Sequence, residues 1–545
     1  MTDFTAALIE SPQPTARYLD RKFSQWLVDN FSAEINAADR DILRRLAEAV
    51  SYAVSIKHTC LDLERYSALQ EPVLDQLLSG ITVKDVIRIV TVDGLLPLIR
   101  SADGKIIWLQ KYHAFESGVT AQLQLLKEQE RLKIITGGPG TGKTWTAAQH
   151  IQTLLKDNPN CMVALAAPTG KAANNMMMAL AKSGFSAEEY GLKGLTIHSL
   201  LGMNGGSPHP RRNKSHPLIC DVLIVDEASM IDSPMMYRLL QAIPLHASLL
   251  LLGDKDQLAS VEAGSVLGDI YSVFSSTNSD VSKGCVTELT VSQRYKNSPE
   301  IGQLAQALNS GSVIDMQDNQ YVLWHCLDME HPWQPGWLAQ VLIAWDKIPY
   351  KVNGTAIVNI LQAQQSFQIL CALREGPQGV AGINSIIEKA LGKKTDSWYV
   401  GKPVMITRND HSRKLYNGDV GIVLPVSEDG QYVDMHATLK ACFWVDGKVK
   451  CISLAQMPAH DTCYAITIHK SQGSEYDHVM VVLPADIQIA RSNPVLTKEL
   501  VYTAITRAKT CIDIWCGEGV LEVIAGKTTQ RMSGLAGMLV NDTKN

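Results

Sequence analysis

The chain has 545 residues, of which 46% are hydrophobic and 19% charged, and its formal net charge is −5. This length exceeds what one core supports, so three or four compact units are expected, and the composition excludes a largely disordered chain. A protein that coats DNA through bulk attraction would be basic. Any nucleic-acid site is therefore expected to be a local channel.

No targeting or membrane segment is expected from the sequence. Met1–Thr15 lacks a basic start followed by an apolar run, so no secretory signal is predicted. The most apolar stretches, such as Leu249–Leu252, are too short to cross a bilayer and suit buried parallel strands. The eleven cysteines are scattered, which is typical of a reducing cytosol. A cytoplasmic location without membrane contact is expected.

Residues 1–115 carry helical periodicity and no chemical motif. Ala37–Tyr52 and Pro72–Leu78 predict amphipathic helices, and Val83–Leu98 with Ile106–Leu109 predicts a mixed appendix. Such a segment most often docks on another surface. A mainly helical, partner-docking N-terminal domain is predicted.

Residues 116–350 change to apolar strands that alternate with turns and helices. Each predicted strand ends at a polar motif, as in a doubly wound parallel sheet whose site lies at the strand ends. The four strands are Leu132–Thr136, Met162–Ala167, Asp221–Val225 and Ser248–Leu252. This is the first predicted α/β domain.

Residues 351–545 repeat that pattern around an insertion. The predicted strands are Phe367–Ala372, Ala465–Ile468, His478–Leu483 and Cys511–Trp515. Between them, residues 402–457 read as short strands with tight turns such as Asn417-Gly418, which predicts a small β-barrel-like (SH3-like) insertion. Cys442 and Cys451 flank the hairpin signal Asp446-Gly447 and are expected to face each other. A disulfide is geometrically allowed there, but two packed thiols are favoured.

The segment Gly137–Thr144 has the spacing of a P-loop, with a strand before it and a helix after it. Glycines let backbone N–H groups surround phosphates, and the helix N-terminus favours negative charge. Lys143 is predicted to reach the β- and γ-phosphates, and Thr144 to ligate Mg²⁺. The predicted nucleotide-binding residues are Gly138, Pro139, Gly140, Thr141, Gly142, Lys143 and Thr144.

Further polar residues complete the predicted chemistry of phosphoryl transfer. Asp226 ends an apolar strand and is predicted to hold Mg²⁺, and Glu227 is predicted to orient and deprotonate the attacking water. Gln257, after the next strand, suits a sensor of that water or of the γ-phosphate. Arg294 and Arg507 are candidate arginine fingers, although a lone arginine is more often a surface ion-pair partner.

Together these motifs resemble the RecD family of superfamily 1 helicases, the alpha subunits of exonuclease V. The resemblance runs from about Leu132 to Gly537. It rests on the P-loop and on the segments Ala167–Ala173, Thr196–Gly202, Val225–Asp232, Gly253–Leu258, Ser260–Gly264, Leu370–Pro377, Thr467–Glu475 and Glu499–Arg507, in that order.

The resemblance implies a fold and a function beyond the residues themselves. ATP would lie between two RecA-like domains, with Arg507 reaching it from the second domain and Gly473 and Glu475 near the γ-phosphate and ribose. The chain would be an ATP-dependent 5′-to-3′ DNA helicase, the motor subunit of a RecBCD-like complex with RecB and RecC. It would act on single-stranded DNA and duplex ends in double-strand break repair and recombination, with nuclease activity in a partner.

The expected DNA contacts come from short polar residues, which position a strand without reading its sequence. Pro168, Thr169, Lys171, Thr196 and His198 are predicted from the first domain. Thr467, His469 and Lys470 are predicted from the second. The alternative interpretation of His198 and His469 is that they are buried core residues. The basic segment Pro208–Lys214 resembles a hairpin that meets the duplex junction in the family, with a solvated loop as the equal alternative.

Three features of the sequence depart from the family pattern. Gln122 is offset from the position that reads adenine, Trp145 replaces a small residue and is expected to pack under the P-loop, and the N-terminal part is short.

A free-standing RecD-like helicase is the first alternative function, but its N-terminal helix-hairpin-helix units are not found. A non-catalytic scaffold is the second, and the complete set of motif residues disfavours it.

Overall fold

The computed structural model describes residues 16–31, 35–92, 97–187, 189–203, 209–260, 262–275, 285–311, 317–328, 335–410, 412–445 and 447–541. Met1–Thr15, Pro208 and Asp446 lie outside this range. In the part of the chain that is described, no helix is both long and apolar enough to cross a membrane.

The N-terminal region is mainly helical, as predicted. Its elements are α1 (Tyr18–Phe31), α2 (Ala37–Ser55), β1 (Cys60–Asp62), α3 (Pro72–Leu78), α4 (Val83–Ile89), β2 (Leu98–Arg100), β3 (Ile106–Leu109) and α5 (Gln110–Glu128). The three strands form a small antiparallel sheet in the order β1-β3-β2. Asn36 caps α2 by accepting from the Asp39 N–H, and Thr82 caps α4 through a capping box with Asp85.

The first large sheet is six-stranded and entirely parallel, in the order β6-β5-β7-β8-β4-β9. Its elements are β4 (Leu132–Gly137), α6 (Lys143–Asp157), β5 (Val163–Ala167), α7 (Gly170–Lys182), β6 (Gly194–Thr196), α8 (Ile197–Leu200), β7 (Val222–Val225), α9 (Ser233–Gln241), β8 (Ser248–Gly253), α10 (Val266–Phe274) and β9 (Val286–Leu289). The four predicted strands are confirmed to within about one residue. Cores cover both faces of this sheet, which explains why its strands are apolar throughout.

The second large sheet has five parallel strands in the order β10-β19-β18-β11-β17. The elements from here to the C-terminus are α11 (Pro299–Ser310), β10 (Val322–Cys326), α12 (Pro335–Asp346), α13 (Ile357–Ala363), β11 (Phe367–Cys371), α14 (Val380–Ala390), β12 (Pro403–Ile406), β13 (Val420–Pro425), β14 (Leu439–Val445), β15 (Lys448–Ser453), β16 (His460–Thr462), β17 (Ala465–Thr467), β18 (Tyr476–Val482), α15 (Ile487–Ser492), α16 (Lys498–Ile505), β19 (Ala508–Cys516), α17 (Val520–Ala525) and α18 (Leu535–Asn541). The four strands predicted for this domain correspond to β11, β17, β18 and β19.

The predicted boundary between the two α/β domains at residue 350 is wrong. Strand β10 pairs with β19, from Val322 against Ile512 to Cys326 against Cys516, so it belongs to the second sheet. Helix α11 packs its buried Ile301 and Leu308 into the same core. The second unit therefore begins near Pro299. A partner strand almost two hundred residues away is long-range information that periodicity does not contain.

The C-terminal end also departs from the predicted domain limits, because it returns to the first two units. Leu535 and Leu539 of α18 are buried in the core of the first sheet, and Met532 is buried in the N-terminal core. The Thr59 N–H donates to the Met532 carbonyl at 3.0 Å, and the Met532 N–H donates to Nδ1 of His58 at 2.8 Å. The C-terminal segment thus ties the N-terminal region to the motor.

The insertion is a five-stranded antiparallel sheet in the order β15-β14-β13-β12-β16. It matches the predicted segment of short strands and tight turns. Cys442 and Cys451 face each other, as predicted from the hairpin. The structure joins them as a disulfide, with their Cα atoms 4.1 Å apart, rather than as the packed thiols that were favoured. The register of β14 with β15 places the two cysteines directly opposite each other.

Candidate nucleotide site and nucleic-acid interface

The P-loop connects the end of β4 to the start of α6. Gly140 and Gly142 have φ values of +73° and +94°, a region that disfavours other residues. A Cβ on Gly140 would lie 2.3 Å from Cβ of Arg294, so this glycine also permits close approach of the segment after β9. The Gln293 N–H donates to the Gly140 carbonyl at 2.8 Å, and the Ser292 hydroxyl donates to the Pro139 carbonyl at 2.9 Å. The segment after β9 therefore stabilises the curved form of the P-loop.

Lys143 lies over the loop that it belongs to. Its Nζ donates to the carbonyls of Gly137 at 2.5 Å and Gly138 at 3.1 Å. The Thr141 hydroxyl also donates to the Gly138 carbonyl, at 2.8 Å. The ammonium group and the first turn of α6 therefore point into the same concave loop, an arrangement suited to phosphate oxygens.

An acidic pair faces the P-loop from the end of β7. Asp226 is buried, and its Oδ2 lies 3.5 Å from the Thr144 hydroxyl. Burial and then the neighbouring Glu227 carboxylate raise the pKa of Asp226, while Lys143 lowers it. A buried carboxylate beside a hydroxyl offers hard oxygen ligands whose burial a divalent cation would offset. The residues present therefore fit Mg²⁺. Glu227 has φ of +53°, unusual for a residue other than glycine.

The predicted sensor Gln257 is buried and belongs to a hydrogen-bond group that crosses the cleft. Its Nε2 donates to Oδ2 of Asp254 at 3.1 Å, and the hydroxyl of Tyr502 donates to the same oxygen at 3.1 Å. The Leu258 N–H donates to the Thr503 hydroxyl at 3.0 Å. The end of β8 in the first domain is thus joined to α16 of the second.

Arg294 also bridges the two domains. Its guanidinium donates to the Thr506 carbonyl at 3.0 Å and forms an ion pair with Glu475. Arg294 packs against Gly140, since a Cβ added to this glycine would lie 2.3 Å from Cβ of Arg294. Arg294 therefore lies at the cleft beside the P-loop, as predicted. Its ion-pair partner in this structure is Glu475, which the family resemblance places near the γ-phosphate and ribose.

Arg507 is placed behind the same cleft in the second domain, only 3% exposed. Its guanidinium donates to the carbonyls of Thr503 at 3.0 Å and Ser474 at 3.3 Å. Its backbone carbonyl accepts from the Tyr476 N–H at 2.9 Å. Gly473 has φ of +72°, and a Cβ added to it would lie 3.9 Å from the Thr169 hydroxyl. Arg507 and Gly473 thus sit together at the interface.

The predicted DNA residues occupy matching positions in the two domains. Thr196 ends β6 and Thr467 ends β17, and both strands lie at sheet edges. The two threonines have almost identical backbone angles, φ −71° with ψ 149° and 150°. Each hydroxyl caps the following helical turn, accepting from the N–H of Ser199 at 3.1 Å and of Lys470 at 3.3 Å. A common local structure therefore presents both segments.

The remaining predicted DNA residues differ in exposure. His198 and Lys470 are exposed and Pro168, Thr169 and His469 are half-buried, so neither histidine is a fully buried core residue. Burial, and then the nearby Arg531 cation, lower the pKa of His469. Thr169 caps α7 by accepting from the Ala172 N–H at 3.2 Å. All five are at least partly exposed.

Lys171 lines a cavity of about 780 Å³ between the first domain and the insertion. Thr196 lines it from the same domain, and Tyr416, Asp419 and Trp444 line it from the insertion. Burial lowers the pKa of Lys171 to about 8, opposed by the Asp419 carboxylate. Lys171 thus faces a half-open cavity that residues of the insertion help to line.

The basic segment after α8 is described from His209 onward. Asn213 and His216 exchange backbone hydrogen bonds of 3.0 Å and form a short antiparallel bridge. Arg211 and Lys214 are exposed around it. The described part is therefore a tight hairpin with a basic surface, which agrees with the hairpin alternative in form and leaves its contact with DNA as a prediction.

The structure shows where Trp145 and Gln122, two residues that depart from the family pattern, lie. Trp145 is 60% exposed, so the expectation that it packs under the P-loop is wrong. Its position on α6 turns the indole outward, which residue type alone did not indicate. Gln122 lies on α5 and lines a second cavity with Met162 and Leu245, and no P-loop residue lines that cavity.

Sequence reasoning did not assign roles to Asp254, Tyr502 or Thr503. These residues lie within motifs that the sequence shows, but a hydroxyl and a carboxylate of different domains can be paired only in three dimensions. A Cβ added to Gly138 would lie 3.0 Å from the Tyr502 hydroxyl, so Tyr502 also lies against the P-loop. The position of Tyr502 five residues before Arg507, in the same motif, was the available signal.

A parallel-sheet P-loop domain, an acidic pair, and two arginines at a cleft closed by a second parallel-sheet domain define the chain as a P-loop motor ATPase. The AAA domain family model matches residues 122–263, and the UvrD-like helicase C-terminal domain model matches residues 462–511. Both matches fall on the segments that form the cleft.

Relatives that cover most of the chain are similar to it. RecBCD enzyme subunit RecD of Haemophilus influenzae is 33% identical over 74% of this chain and 70% of its own length. The subunit of the same name from Mycolicibacterium smegmatis is 35% identical over 74% and 72%. Among solved structures, a Bacteroides Pif1 helicase in complex with ADP-AlF3 and ssDNA is 18% identical, with a TM-score of 0.39, over 78% of this chain and 96% of that chain. The chain belongs to the RecD family of superfamily 1 helicases, and it is an ATP-dependent DNA helicase.

Proposed function

We propose that this chain is the 5′-to-3′ motor subunit of a RecBCD-like helicase–nuclease that processes double-strand DNA ends, with ATP and Mg²⁺ as its cofactors. The observation that carries the proposal is the joined cleft, in which Asp254 of the first domain is bonded to Tyr502 of the second. A cleft closed by residues of both domains lets one nucleotide control their separation, which is what a stepping motor requires.

The catalytic roles in this proposal follow from position around the P-loop. Lys143 neutralises the β- and γ-phosphates, and Thr144 and Asp226 hold Mg²⁺, which would neutralise phosphate charge. Glu227 activates water, and Gln257 orients it. Arg294 and Arg507 stabilise the charge of the transition state, and Gly473 and Glu475 contact the nucleotide from the second domain. Binding of nucleotide would then replace Glu475 as the partner of Arg294.

The DNA-binding part of the proposal uses the two matched threonine segments. A single strand would lie across Pro168, Thr169, Thr196 and His198 of the first domain and Thr467, His469 and Lys470 of the second. Exposed N–H groups and hydroxyls at capped turns suit phosphate oxygens and carry no sequence information. Lys171 would contact the strand from the cavity beneath the insertion, which we propose to be an SH3-like barrel.

The N-terminal region is proposed to dock on RecB and RecC, in the bacterial cytoplasm. On α1, Leu19 and Trp26 are exposed on one side of the helix, and Trp26 packs edge-on against Phe31. Exposed aromatic clusters of this kind are typical of protein–protein contacts. The free-standing helicase remains the alternative, and the relative named ATP-dependent RecD2 DNA helicase, from Deinococcus radiodurans, is matched over 46% of its own length.

The test of the proposed chemistry is Glu227→Gln, assayed for DNA-stimulated ATP hydrolysis and for nucleotide binding. Loss of a general base should lower turnover by about 10²–10⁴-fold, with binding retained. The exposed Glu518→Gln is the matched control. Turnover of the Glu227 variant equal to that of the control would exclude the assigned role.

A further inference from the structure

Four potential metal ligands meet on one face of the second sheet, apart from the nucleotide site. They lie on the neighbouring strands β10, β19 and β18. His478 is in register with Cys511, and Asp513 follows Cys511 by two residues on the same strand, so the three side chains share a face. His325 follows Leu323, the register partner of Asp513, by two residues and joins that face.

The ligand atoms of three of these residues, His478, Cys511 and Asp513, are close enough for one ion. One atom each of His478, Cys511 and Asp513 lies within 4.8 Å of the others. Nε2 of His478 is 2.8 Å from Oδ2 of Asp513, and Nε2 of His325 is 4.0 Å from Oδ1 of Asp513. The His325 ring is stacked on Trp515, with ring centroids 4.0 Å apart, which fixes its orientation.

The hydrogen bond between His478 and Asp513 does not account for the whole cluster. Asp513 is only 3% exposed, and within the described ranges its Oδ1 has no hydrogen-bond partner. The same holds for Nε2 of His325. Buried polar atoms without partners are costly and call for an explanation such as an ion. An ion between these two atoms would satisfy both.

A β-bulge in β19 gives the cluster its cysteine. Tyr476 is in register with Ala508, but His478 is in register with Cys511, so β19 has one extra residue in this interval. Without it, Thr510 would face His478. The Thr510 hydroxyl instead donates to the Asp477 carbonyl at 2.6 Å, on the other strand. Bulges often redirect a single side chain toward a site.

We propose that His478, Cys511 and Asp513, with His325 as fourth ligand, bind a structural Zn²⁺ ion. Imidazole and thiolate ligands favour zinc over magnesium or calcium. A thiolate and a carboxylate balance the charge of Zn²⁺, which removes the cost of burying either anion alone. Zinc bonds of about 2.0–2.3 Å place tetrahedral ligands about 3.5 Å apart. His478, Cys511 and Asp513 then need only small side-chain movements, and His325 must move toward them from its present position 4.0 Å from Asp513.

This ion would brace the strands that carry the motor residues of the second domain. His478 follows Glu475 by three residues, and Cys511 follows Arg507 by four. The Tyr476 N–H already donates to the Arg507 carbonyl at 2.9 Å. A metal bond between β18 and β19 one step further along would fix that pairing. The assignment depends on none of the proposed roles in ATP hydrolysis or partner binding.

The test is metal binding by the full chain without an affinity tag. Zinc content is measured by elemental mass spectrometry after dialysis, and Co²⁺ is titrated as a spectroscopic substitute. The expected result is one ion per chain, and a cobalt spectrum with thiolate charge-transfer and tetrahedral bands. Cys511→Ser should remove the charge-transfer band and weaken binding at least about tenfold, since even outer-shell losses cost that much. The similarly half-buried Cys161→Ser is the control.

Two further measurements separate this site from a loss of folding. Zinc should raise the melting temperature of the wild type and of Cys161→Ser but not of Cys511→Ser, because a ligand stabilises only the state that binds it. Asp513→Asn, which keeps the shape of the side chain, should also weaken binding at least about tenfold. A wild type that takes up no zinc or cobalt, or a Cys511→Ser protein that binds as tightly as the wild type, would overturn the proposal.

Discussion

The hydroxyl of Tyr502 donates a buried hydrogen bond to Oδ2 of Asp254, 3.1 Å away, and so connects the second α/β domain to the first. Gln257 donates to the same carboxylate oxygen. Burial raises the pKa of Asp254, and nearby Lys143 opposes that effect. One carboxylate thus links the predicted γ-phosphate sensor, the P-loop lysine and the helix that leads to Arg507. The same oxygen atom is therefore bonded to residues of both domains.

Tyr502→Phe should lower DNA-stimulated ATP turnover about tenfold, with little change in the KM for ATP. The substitution removes one hydrogen bond to a carboxylate, worth about 1.5–3 kcal/mol, and leaves the ring packing intact. Steady-state kinetics with single-stranded DNA measure this, beside the exposed Tyr432→Phe as control. A rise in KM with unchanged maximal turnover would assign Tyr502 to nucleotide binding instead.

Lys143→Ala should abolish DNA-stimulated ATP hydrolysis while the fold stays intact. The ammonium group is the cation placed over the P-loop carbonyls, so its loss removes the charge partner of the phosphates. Hydrolysis is measured by phosphate release and folding by circular dichroism. Lys156→Ala, on the exposed last turn of α6, serves as control. Turnover within a few-fold of the wild type would refute the nucleotide site.

Arg507→Ala should bind nucleotide yet lose about three decades or more of turnover, as expected for an arginine finger. Because Arg507 is buried and bonded to two backbone carbonyls, its loss also threatens local packing. Arg507→Lys, which keeps the charge without the planar fork, is therefore measured in parallel. Both variants should bind fluorescent nucleotide normally. Collapse of nucleotide affinity with normal turnover at saturation would make Arg507 a binding residue only.

Unwinding driven by this chain should begin from a 5′ single-stranded tail. The expectation rests on membership of the RecD family and on the proposed path of the strand across Thr196 and Thr467. Partial duplexes with only a 5′ tail or only a 3′ tail are compared, using the chain or its complex, with Lys143→Ala as the control for this motor. Activity that requires a 3′ tail and disappears in Lys143→Ala would reverse the polarity.

Trp26→Glu should abolish assembly with RecB and RecC while ATP hydrolysis on single-stranded DNA stays unchanged. A point change is preferable to deletion of residues 1–115, because that region shares buried Met532 and the Glu116 carboxylate with the motor. Substitution of an exposed residue typically alters stability by no more than about 0.5 kcal/mol. Co-expression pull-downs measure assembly, with Ile343→Glu, also exposed, as control. Retained assembly would move the docking surface elsewhere, to the insertion first.

Much of the fold was predictable because its signals are local. The P-loop depends on glycines within eight residues, and each apolar strand ends at its own polar motif. Threonine caps at Thr196 and Thr467 likewise need only the three residues that follow. The errors arose where contacts join distant segments. Strand β10 looked like part of the first domain because its partner β19 is almost two hundred residues away, and Trp145 looked buried because residue type does not fix direction.

The sequence by itself determined the type of chemistry, since the order and spacing of the motifs specify a P-loop ATPase of the RecD family. The tertiary structure alone decided what connects its parts. It brought Tyr502 to Asp254, returned the C-terminal helix to the first domain, and placed His478 beside Cys511 and Asp513. The physical reason is that motifs are set by short-range backbone geometry, whereas these contacts depend on how strands are ordered in a sheet and how two cores close on each other.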